Sequence, residues 1–140
     1  MGERFWPTYF RSVHDCLKPR GRALIQTITI ADDAFAAYRR SSDFIRQYIF
    51  PGGMLPCPSR LDELTTAAGL DTKSSLAFGP DYAETLKRWR QSFDAATQQV
   101  ERMGFDHSFR QIWRFYLCYC EAGFRAGRTD VMQIELQRRD

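Results

Sequence analysis

The stretch that decides the fold is Ala23-Leu24-Ile25-Gln26-Thr27-Ile28-Thr29-Ile30. It is short, largely apolar and rich in β-branched residues, which is typical of a buried strand in a parallel sheet. Proline and glycine in the preceding segment 18–21 predict a turn. Upstream of that turn, apolar side chains recur every three or four residues, so a helix is predicted over about residues 3–17.

Downstream, helical and strand patterns alternate along the chain. The predicted helices span residues 59–69, 81–102 and 106–126, with helical pieces in 31–50, a structured loop at 51–58, and further strands at 70–78 and 131–138. Ser59 is the expected N-cap of one helix, and Gly69 its end. In the last strand apolar and polar residues alternate, which predicts a half-buried strand at or near a sheet edge. Strands alternating with helices indicate an α/β layer fold of about three strands with flanking helices.

Composition limits the class of protein. The chain has 140 residues, 44% of them hydrophobic and 26% charged, which is typical of one globular domain. Its net charge of +3 is mild and its basic residues are scattered, which argues against a nucleic-acid partner. Aromatic residues make up 14% of the chain and fit either an aromatic-rich core or an apolar pocket. No apolar run approaches the ~20 residues that span a bilayer, so membrane contact is expected to be peripheral.

Several kinds of catalytic motif are absent from the sequence. There is no G-x-G, so neither a dinucleotide fingerprint nor a P-loop is present, and there is no G-x-S-x-G elbow. The four cysteines form no C-x-x-C pair, and His14 and His107 lack a metal-ligand pattern. We therefore expect no metal site, and the free cysteines fit a reducing cytoplasm.

Five runs carry more information than the composition does. They are Phe5-Trp6-Pro7-Thr8-Tyr9-Phe10, Leu24-Ile25-Gln26-Thr27-Ile28, Tyr48-Ile49-Phe50-Pro51-Gly52-Gly53-Met54-Leu55-Pro56, Phe78-Gly79-Pro80-Asp81-Tyr82-Ala83-Glu84-Thr85-Leu86 and Tyr119-Cys120-Glu121-Ala122-Gly123-Phe124-Arg125. In this order they resemble the carboxy-terminal portion of cyclopropane-fatty-acyl-phospholipid synthases and mycolic acid cyclopropane synthases. The resemblance covers essentially the whole chain.

The resemblance implies a Rossmann-like methyltransferase fold that depends on S-adenosylmethionine (SAM) and whose last strand is antiparallel. In this family the glycine-rich SAM loop lies in the first half of the domain. We therefore expect residues 1–140 to be the carboxy-terminal part of a single methyltransferase domain, with the amino-terminal SAM-binding half absent. The strands predicted here would be the fifth, sixth and antiparallel seventh of that fold.

The implied activity is transfer of the SAM methyl group to the cis double bond of a phospholipid acyl chain, giving a cyclopropane fatty acid. The implied cofactors are SAM and bicarbonate, which acts as the base. The implied partners are phospholipid acyl chains at the membrane surface, and the expected location is cytoplasmic, peripheral to the inner face of the membrane. We expect this chain to be inactive alone.

The resemblance also assigns site residues. Tyr82 matches the family tyrosine that contacts bicarbonate, Ile28 a position that contributes its backbone, and Gln26 a position that is histidine in well-known members. A glutamine amide donates a hydrogen bond to an anion but does not titrate. The expected substrate-binding residues beside the acyl-chain tunnel are Phe50, Pro51, Gly52, Gly53 and Leu55. Considered without the family, Tyr82 fits an ordinary core tyrosine and Gln26 a strand amide satisfied by backbone.

Two other functions stay open. An enzyme that makes a methylene- or methyl-branched chain would share the first methyl transfer and differ in the fate of the carbocation, and Gln26 in place of histidine is compatible with it. The other alternative is not an enzyme: the chain would be a non-catalytic fragment, or an interaction module that pairs with a separate SAM-binding half.

Overall fold

The computed structural model describes residues 2–139 and divides them into two compact units. The first contains residues 2–78 and 129–139, and the second contains Gly79–Arg128. In the first unit a 3₁₀ turn at Glu3–Phe5 precedes helix α1, and a π-helical turn lies at Ile45–Ile49. The regular elements of this unit are α1 (Trp6–Cys16), β1 (Arg22–Ile30), α2 (Asp32–Arg40), α3 (Pro58–Ala67), β2 (Leu70–Ala77) and β3 (Thr129–Arg138).

Within the described residues the strands form one three-stranded sheet in the order β1-β3-β2. Strand β3 is antiparallel to both neighbours, with Ile25 opposite Ile134 and Leu70 opposite Arg138. The predicted antiparallel last strand is confirmed. Its expected place at or near an edge is wrong, because β1 and β2 run in the same direction and bond to opposite sides of β3. The parallel pairing expected for β1 is also not seen here, since its described partner is β3.

The core of the first unit lies between the sheet and helices α1 and α3. Leu70 and Leu136 are fully buried, at 0% exposure. They cluster with further apolar side chains from both helices and from β3, namely Trp6, Phe10, Leu61, Leu64 and Ile134. The alternation in the sequence of β3 therefore predicted the inward face correctly.

The ends of α1 and α3 are fixed by identifiable contacts. Nη1 of Arg138 donates to the carbonyl oxygens of Leu17 at 2.7 Å and His14 at 3.3 Å, which satisfies the last turn of α1. Helix α3 begins at Pro58 with Cys57 as its N-cap, so the expected N-cap role of Ser59 is wrong by two positions. Gly69, at φ +78°, follows the end of α3 as predicted.

Strands β1 and β2 differ at their outer edges. The pairing of β2 with β3 shifts register between Thr72 and Ser74, which leaves Lys73 at a β-bulge. On β1 the side chains of Arg22, Leu24 and Gln26 are exposed. Exposure alternates along the first half of β1, so it is a half-buried strand rather than the fully buried one expected.

The second unit is helical. It contains α4 (Gly79–Ala95), α5 (Thr97–Arg102) and α6 (His107–Arg125). The single helix expected over residues 81–102 is thus divided at Ala96. Asp106 caps α6 by accepting a hydrogen bond from the Phe109 amide at 2.8 Å, and Gly127 follows its end at φ +64°.

Candidate functional site

An apolar pocket of about 270 Å³ lies in the first unit. It is bounded by α1, β1, the start of α3 and the loop before α3. Its lining residues are Trp6, Tyr9, Phe10, Ile25, Gln26, Thr27, Met54, Pro56 and Leu61. Aromatic and aliphatic residues dominate this set, and the two polar residues Gln26 and Thr27 are consecutive on β1. Such a lining suits an apolar ligand oriented by one or two polar groups.

Gln26 is a lining residue of this pocket, but its side chain lies on the face of β1 opposite to that of Ile25, which packs against the core. It is exposed on β1, and its Oε1 accepts a hydrogen bond from Nε2 of Gln133 at 3.0 Å. Gln133 is its direct cross-strand partner on β3. Among residues 2–139 no hydrogen bond is recorded for Nε2 of Gln26, so its two N–H groups can donate to an anion or a carbonyl.

Ile28 lies two positions further along β1, opposite Val131. Its carbonyl oxygen accepts a hydrogen bond from the Thr27 hydroxyl at 3.2 Å. The expected contribution of its backbone to an anion site stays a prediction. Thr27 itself lines the pocket, which the sequence argument did not include.

The segment Phe50–Leu55 forms a tight turn beside the pocket. The Gly53 amide donates to the Phe50 carbonyl at 2.9 Å, and Gly52 has φ +76°. A Cβ on Gly53 would lie 3.0 Å from the Phe50 carbonyl oxygen, which is a tight contact that disfavours a side chain at this position. None of the predicted residues Phe50, Pro51, Gly52, Gly53 and Leu55 is among those that line the pocket.

The neighbours of those residues line it instead. Met54 and Pro56 come from the same segment, and Trp6 and Tyr9 come from α1. The predicted residues come from the same segment as Met54 and Pro56, and alternation of side chains along an extended stretch decides which ones face inward. The aromatic residues near the start of α1 could have indicated from the sequence that this helix also lines the pocket.

A polar cluster fixes the start of α3, just after the pocket. Oδ1 of Asp32 accepts hydrogen bonds from the Ser59 hydroxyl at 2.6 Å and the Ser59 amide at 3.1 Å. The thiol of Cys57 lies 3.4 Å from the Ser59 hydroxyl. Hydrogen bonds from the Ser59 and Cys57 side chains lower the pKa of Asp32 below its usual value. Asp32 thus keeps its negative charge at the amino end of α3, where the helix dipole favours it.

Tyr82 belongs to the second unit, in the first turn of α4. It is half-buried, and its ring lies edge-on to Phe124 at 5.2 Å and to Trp89 at 6.1 Å between centroids. These rings hold the Tyr82 side chain in an aromatic cluster. Its expected contact with a bound ion stays a prediction.

Tyr116 on α6 is a candidate functional residue that was not predicted from the sequence. Burial, together with smaller effects of the neighbouring Cys120 and Tyr82, raises the pKa of Tyr116 to about 12. Its ring lies 5.1 Å from that of Trp113. Tyr116 is therefore a neutral phenol over the whole physiological range.

An ion-pair network lies on the same helices. Glu121 accepts from Arg90 at 3.2 Å and pairs with Arg125 at 2.9 Å. Burial raises the pKa of Glu121, but hydrogen bonds from Arg125 and Arg90 more than offset this and leave the pKa below its usual value. This carboxylate is neutralised by its neighbours, which makes it a poor general base.

The predicted site residues therefore occur in both units. Gln26, Ile28 and the segment Phe50–Leu55 are in the first, and Tyr82 is in the second. Within residues 2–139 no cluster of three or more histidine, cysteine or acidic side chains could hold a metal ion. In that same part of the chain, no helix is both long and apolar enough to cross a bilayer.

The fold defines the class of protein. Residues 2–139 have the fold of the carboxy-terminal part of SAM-dependent methyltransferases. The crystal structure of mycolic acid cyclopropane synthase CmaA1 complexed with SAH and CTAB matches with a TM-score of 0.87 at 27% identity, covering 99% of this chain and 51% of that one. A putative sarcosine dimethylglycine methyltransferase from Galdieria sulphuraria, at 14% identity and a TM-score of 0.81, shares the fold over 97% of this chain and 48% of its own.

Within that class, the chain belongs to the mycolic acid cyclopropane synthetase family, whose model matches residues 1–134. It is 39% identical over 139 residues to tuberculostearic acid methyltransferase UfaA1 of Mycobacterium tuberculosis, covering 99% of this chain and 33% of that relative. It is 28% identical over 138 residues to the cyclopropane-fatty-acyl-phospholipid synthase of Escherichia coli, covering 99% and 35%. The resemblance and the fold expected from the sequence are confirmed. The chain spans about a third of the length of these two relatives.

Proposed function

We propose that this chain forms part of an enzyme that transfers a methyl group from SAM to the cis double bond of a phospholipid acyl chain and produces a cyclopropane fatty acid. The observation that carries the proposal is the family match over residues 1–134. The apolar pocket with Gln26 on its wall is compatible with a long hydrocarbon ligand. Relatives named for lipid substrates support the lipid class, whereas a peripheral membrane location stays a prediction.

The residues present fit one implied cofactor and not the other. The uncommitted amide of Gln26 fits a small anion such as bicarbonate. No strand in residues 2–139 is followed by a glycine-rich turn that would admit SAM. Strand β1 leads into Ala31 and the acidic start of α2, and β2 leads into Phe78 and the single glycine Gly79. We therefore propose that SAM binds mainly to residues outside this part of the protein.

The reaction sets clear physical demands on the pocket. SAM, held by residues outside this part of the protein, would supply the methyl group for the new carbon–carbon bond and would leave a carbocation on the acyl chain. Ring closure follows when a base removes a proton from the added methyl group. Water would capture the cation, so the apolar lining of Trp6, Tyr9 and Met54 serves to exclude it. Aromatic faces also stabilise a nearby cation.

In this proposal Gln26 orients the base, with Ile28 and Tyr82 as further contacts by resemblance to the family. The amide of Gln26 donates to the anion through Nε2 while Oε1 stays bonded to Gln133. Because glutamine does not titrate, the basicity of the site would not depend on this side chain.

A second product class is favoured by two observations. Gln26 replaces a histidine of the better-known synthases, and identity is 39% to tuberculostearic acid methyltransferase UfaA1 against 28% to the E. coli cyclopropane synthase. In this alternative the same methyl transfer ends in loss of a proton that leaves a methylene branch, and a saturated methyl branch additionally requires reduction by a hydride donor. The non-catalytic alternative, a fragment or interaction module, predicts no methylated lipid at all.

The test is a chimera in which this chain replaces the matching segment of the E. coli synthase, expressed in cells without their own synthase. Fatty acyl products are identified by mass spectrometry before and after ozonolysis. A cyclopropane survives ozone, and a methylene branch is cleaved by it. A saturated methyl branch survives but carries two more hydrogens than the ring.

The outcomes separate the three readings. Cyclopropane products support the first proposal, and branched products support the second. A folded chimera that binds SAM and methylates no lipid refutes both and leaves the non-catalytic alternative. Calorimetric titration of the 140-residue chain with SAM is a second check, because tight binding would contradict our placement of the cofactor site elsewhere.

A further inference from the structure

Both backbone and side-chain hydrogen bonds anchor the segment between Phe50 and α3. The Gly53 amide donates to the Phe50 carbonyl at 2.9 Å, and the Ile30 amide donates to the Pro56 carbonyl at 3.0 Å. Between them, the Leu55 amide donates to the hydroxyl of Tyr38 at 3.2 Å. This bond lies midway between the two pocket-lining residues of the segment.

Tyr38 reaches this position from the last turns of α2. Its side chain is only 7% exposed and forms a small core with Ile30 and Cys57. Met54 packs against this core and also against the main core of the unit, so it connects the two. Because Met54 also lines the pocket, a shift of the segment would change the pocket wall.

Arg46 holds Tyr38 in place. Its Nη1 donates to the carbonyl oxygens of Tyr38, at 3.1 Å, and of Ser41, and its guanidinium lies 5.2 Å from the centre of the Tyr38 ring. The Arg46 amide in turn donates to Asp43 at 2.9 Å. The π-helical turn and the end of α2 are thereby joined around the tyrosine.

We propose that Tyr38 is a positioning residue for the acyl-chain pocket: its hydroxyl fixes the Leu55 amide and so sets where Met54 and Pro56 face the ligand. The inference rests on the proposed function, because it assumes that the pocket takes an acyl chain. Tyr38 does not touch the reacting atoms. It acts on the affinity for the lipid, and the rate of the methyl transfer is left unchanged.

The test compares Tyr38→Phe with Tyr48→Phe in the 140-residue chain. Both variants remove one hydroxyl, but Tyr48 is 67% exposed and lies in the π-helical turn. Amide exchange of Leu55 is measured by NMR, and a fluorescent oleoyl probe is titrated into each protein. Loss of one hydrogen bond to Leu55 is expected to speed its exchange and weaken probe binding by about three- to tenfold in Tyr38→Phe. Tyr48→Phe is expected to match the wild type in both measurements.

Two results would overturn the inference: unchanged Leu55 exchange in Tyr38→Phe, or faster exchange with unchanged probe affinity. Exchange of the β3 amides reports whether the variant is folded. Should Tyr38→Phe unfold, Arg46→Gln is the second variant, with the same expected direction of change and the same refuting results. In the chimera the defect is expected in KM and not in kcat. The two proposals can fail separately. If Tyr38→Phe weakens probe binding but the chimera makes no methylated lipid, the positioning role is supported and the proposed reaction is refuted.

Discussion

Replacing Leu136 with alanine tests the described packing of the sheet most directly. Leu136 is fully buried on the central strand, between β1 and β2. The change removes three carbon atoms, about 2.4 kcal/mol at roughly 0.8 kcal/mol per buried methylene. The cavity left among Trp6, Leu61 and Leu70 adds to this, so we expect a loss of about 3–4 kcal/mol in the free energy of unfolding.

Leu24→Ala is the matched control in the same sheet. Leu24 is 69% exposed on β1, so the same three carbons are mostly in water already and no closed cavity forms. We expect a loss of about 0.5–1 kcal/mol. Urea unfolding followed by far-UV circular dichroism gives both values. If Leu24→Ala costs as much as Leu136→Ala, then Leu24 is covered in solution and the assignment of β1 as a free outer strand is wrong.

Three further outcomes are expected. Asp32→Ala lowers stability at neutral pH by about 0.5–1 kcal/mol, because Asp32 caps the start of α3. The pKa of Asp32 is lowered in the folded state, so the difference from wild type is expected to shrink as the pH falls through that lowered pKa; urea titrations at neutral and at acid pH check this. Gln26→Leu in the chimera lowers lipid methylation about tenfold or more, since a hydrogen bond to an anion is lost, while Gln26→His keeps a donor and retains activity. The phenolate absorbance of Tyr116, identified as the signal that is lost in Tyr116→Phe, is expected to appear only near pH 12. An onset at lower pH would contradict the burial of Tyr116.

Much of the fold follows from local sequence signals. Signals that act over a few residues correctly predicted single elements or their ends. They are the β-branched run at 23–30, the alternation at 131–138 and the glycines at 69 and 127. The position of β3 at the centre of the sheet was missed, since strand order depends on contacts between distant segments. The division of α4 from α5 at Ala96 was also missed, because neither proline nor glycine marks it.

The turn at Phe50–Leu55 could be predicted from the sequence, but the identity of the side chains that line the pocket could not. The motif from Tyr48 to Pro56 located the turn, and Gly52 and Gly53 have a physical reason to be there. In our proposal, the side chains that face the pocket depend on the hydrogen bond between Leu55 and Tyr38, and Tyr38 lies outside the five sequence motifs. The raised pKa of Tyr116 likewise depends on burial by packed helices, which no spacing in the sequence reports.

The contrast between the two outer strands has a consequence for handling the protein in solution. A bulged lysine on β2 puts a charge and a backbone kink where a further strand would have to bond, which hinders self-association there. On β1 the exposed Leu24 gives no such protection. Concentrated samples of the 140-residue chain should therefore aggregate through β1, and Leu24→Lys should raise the concentration at which light scattering first increases.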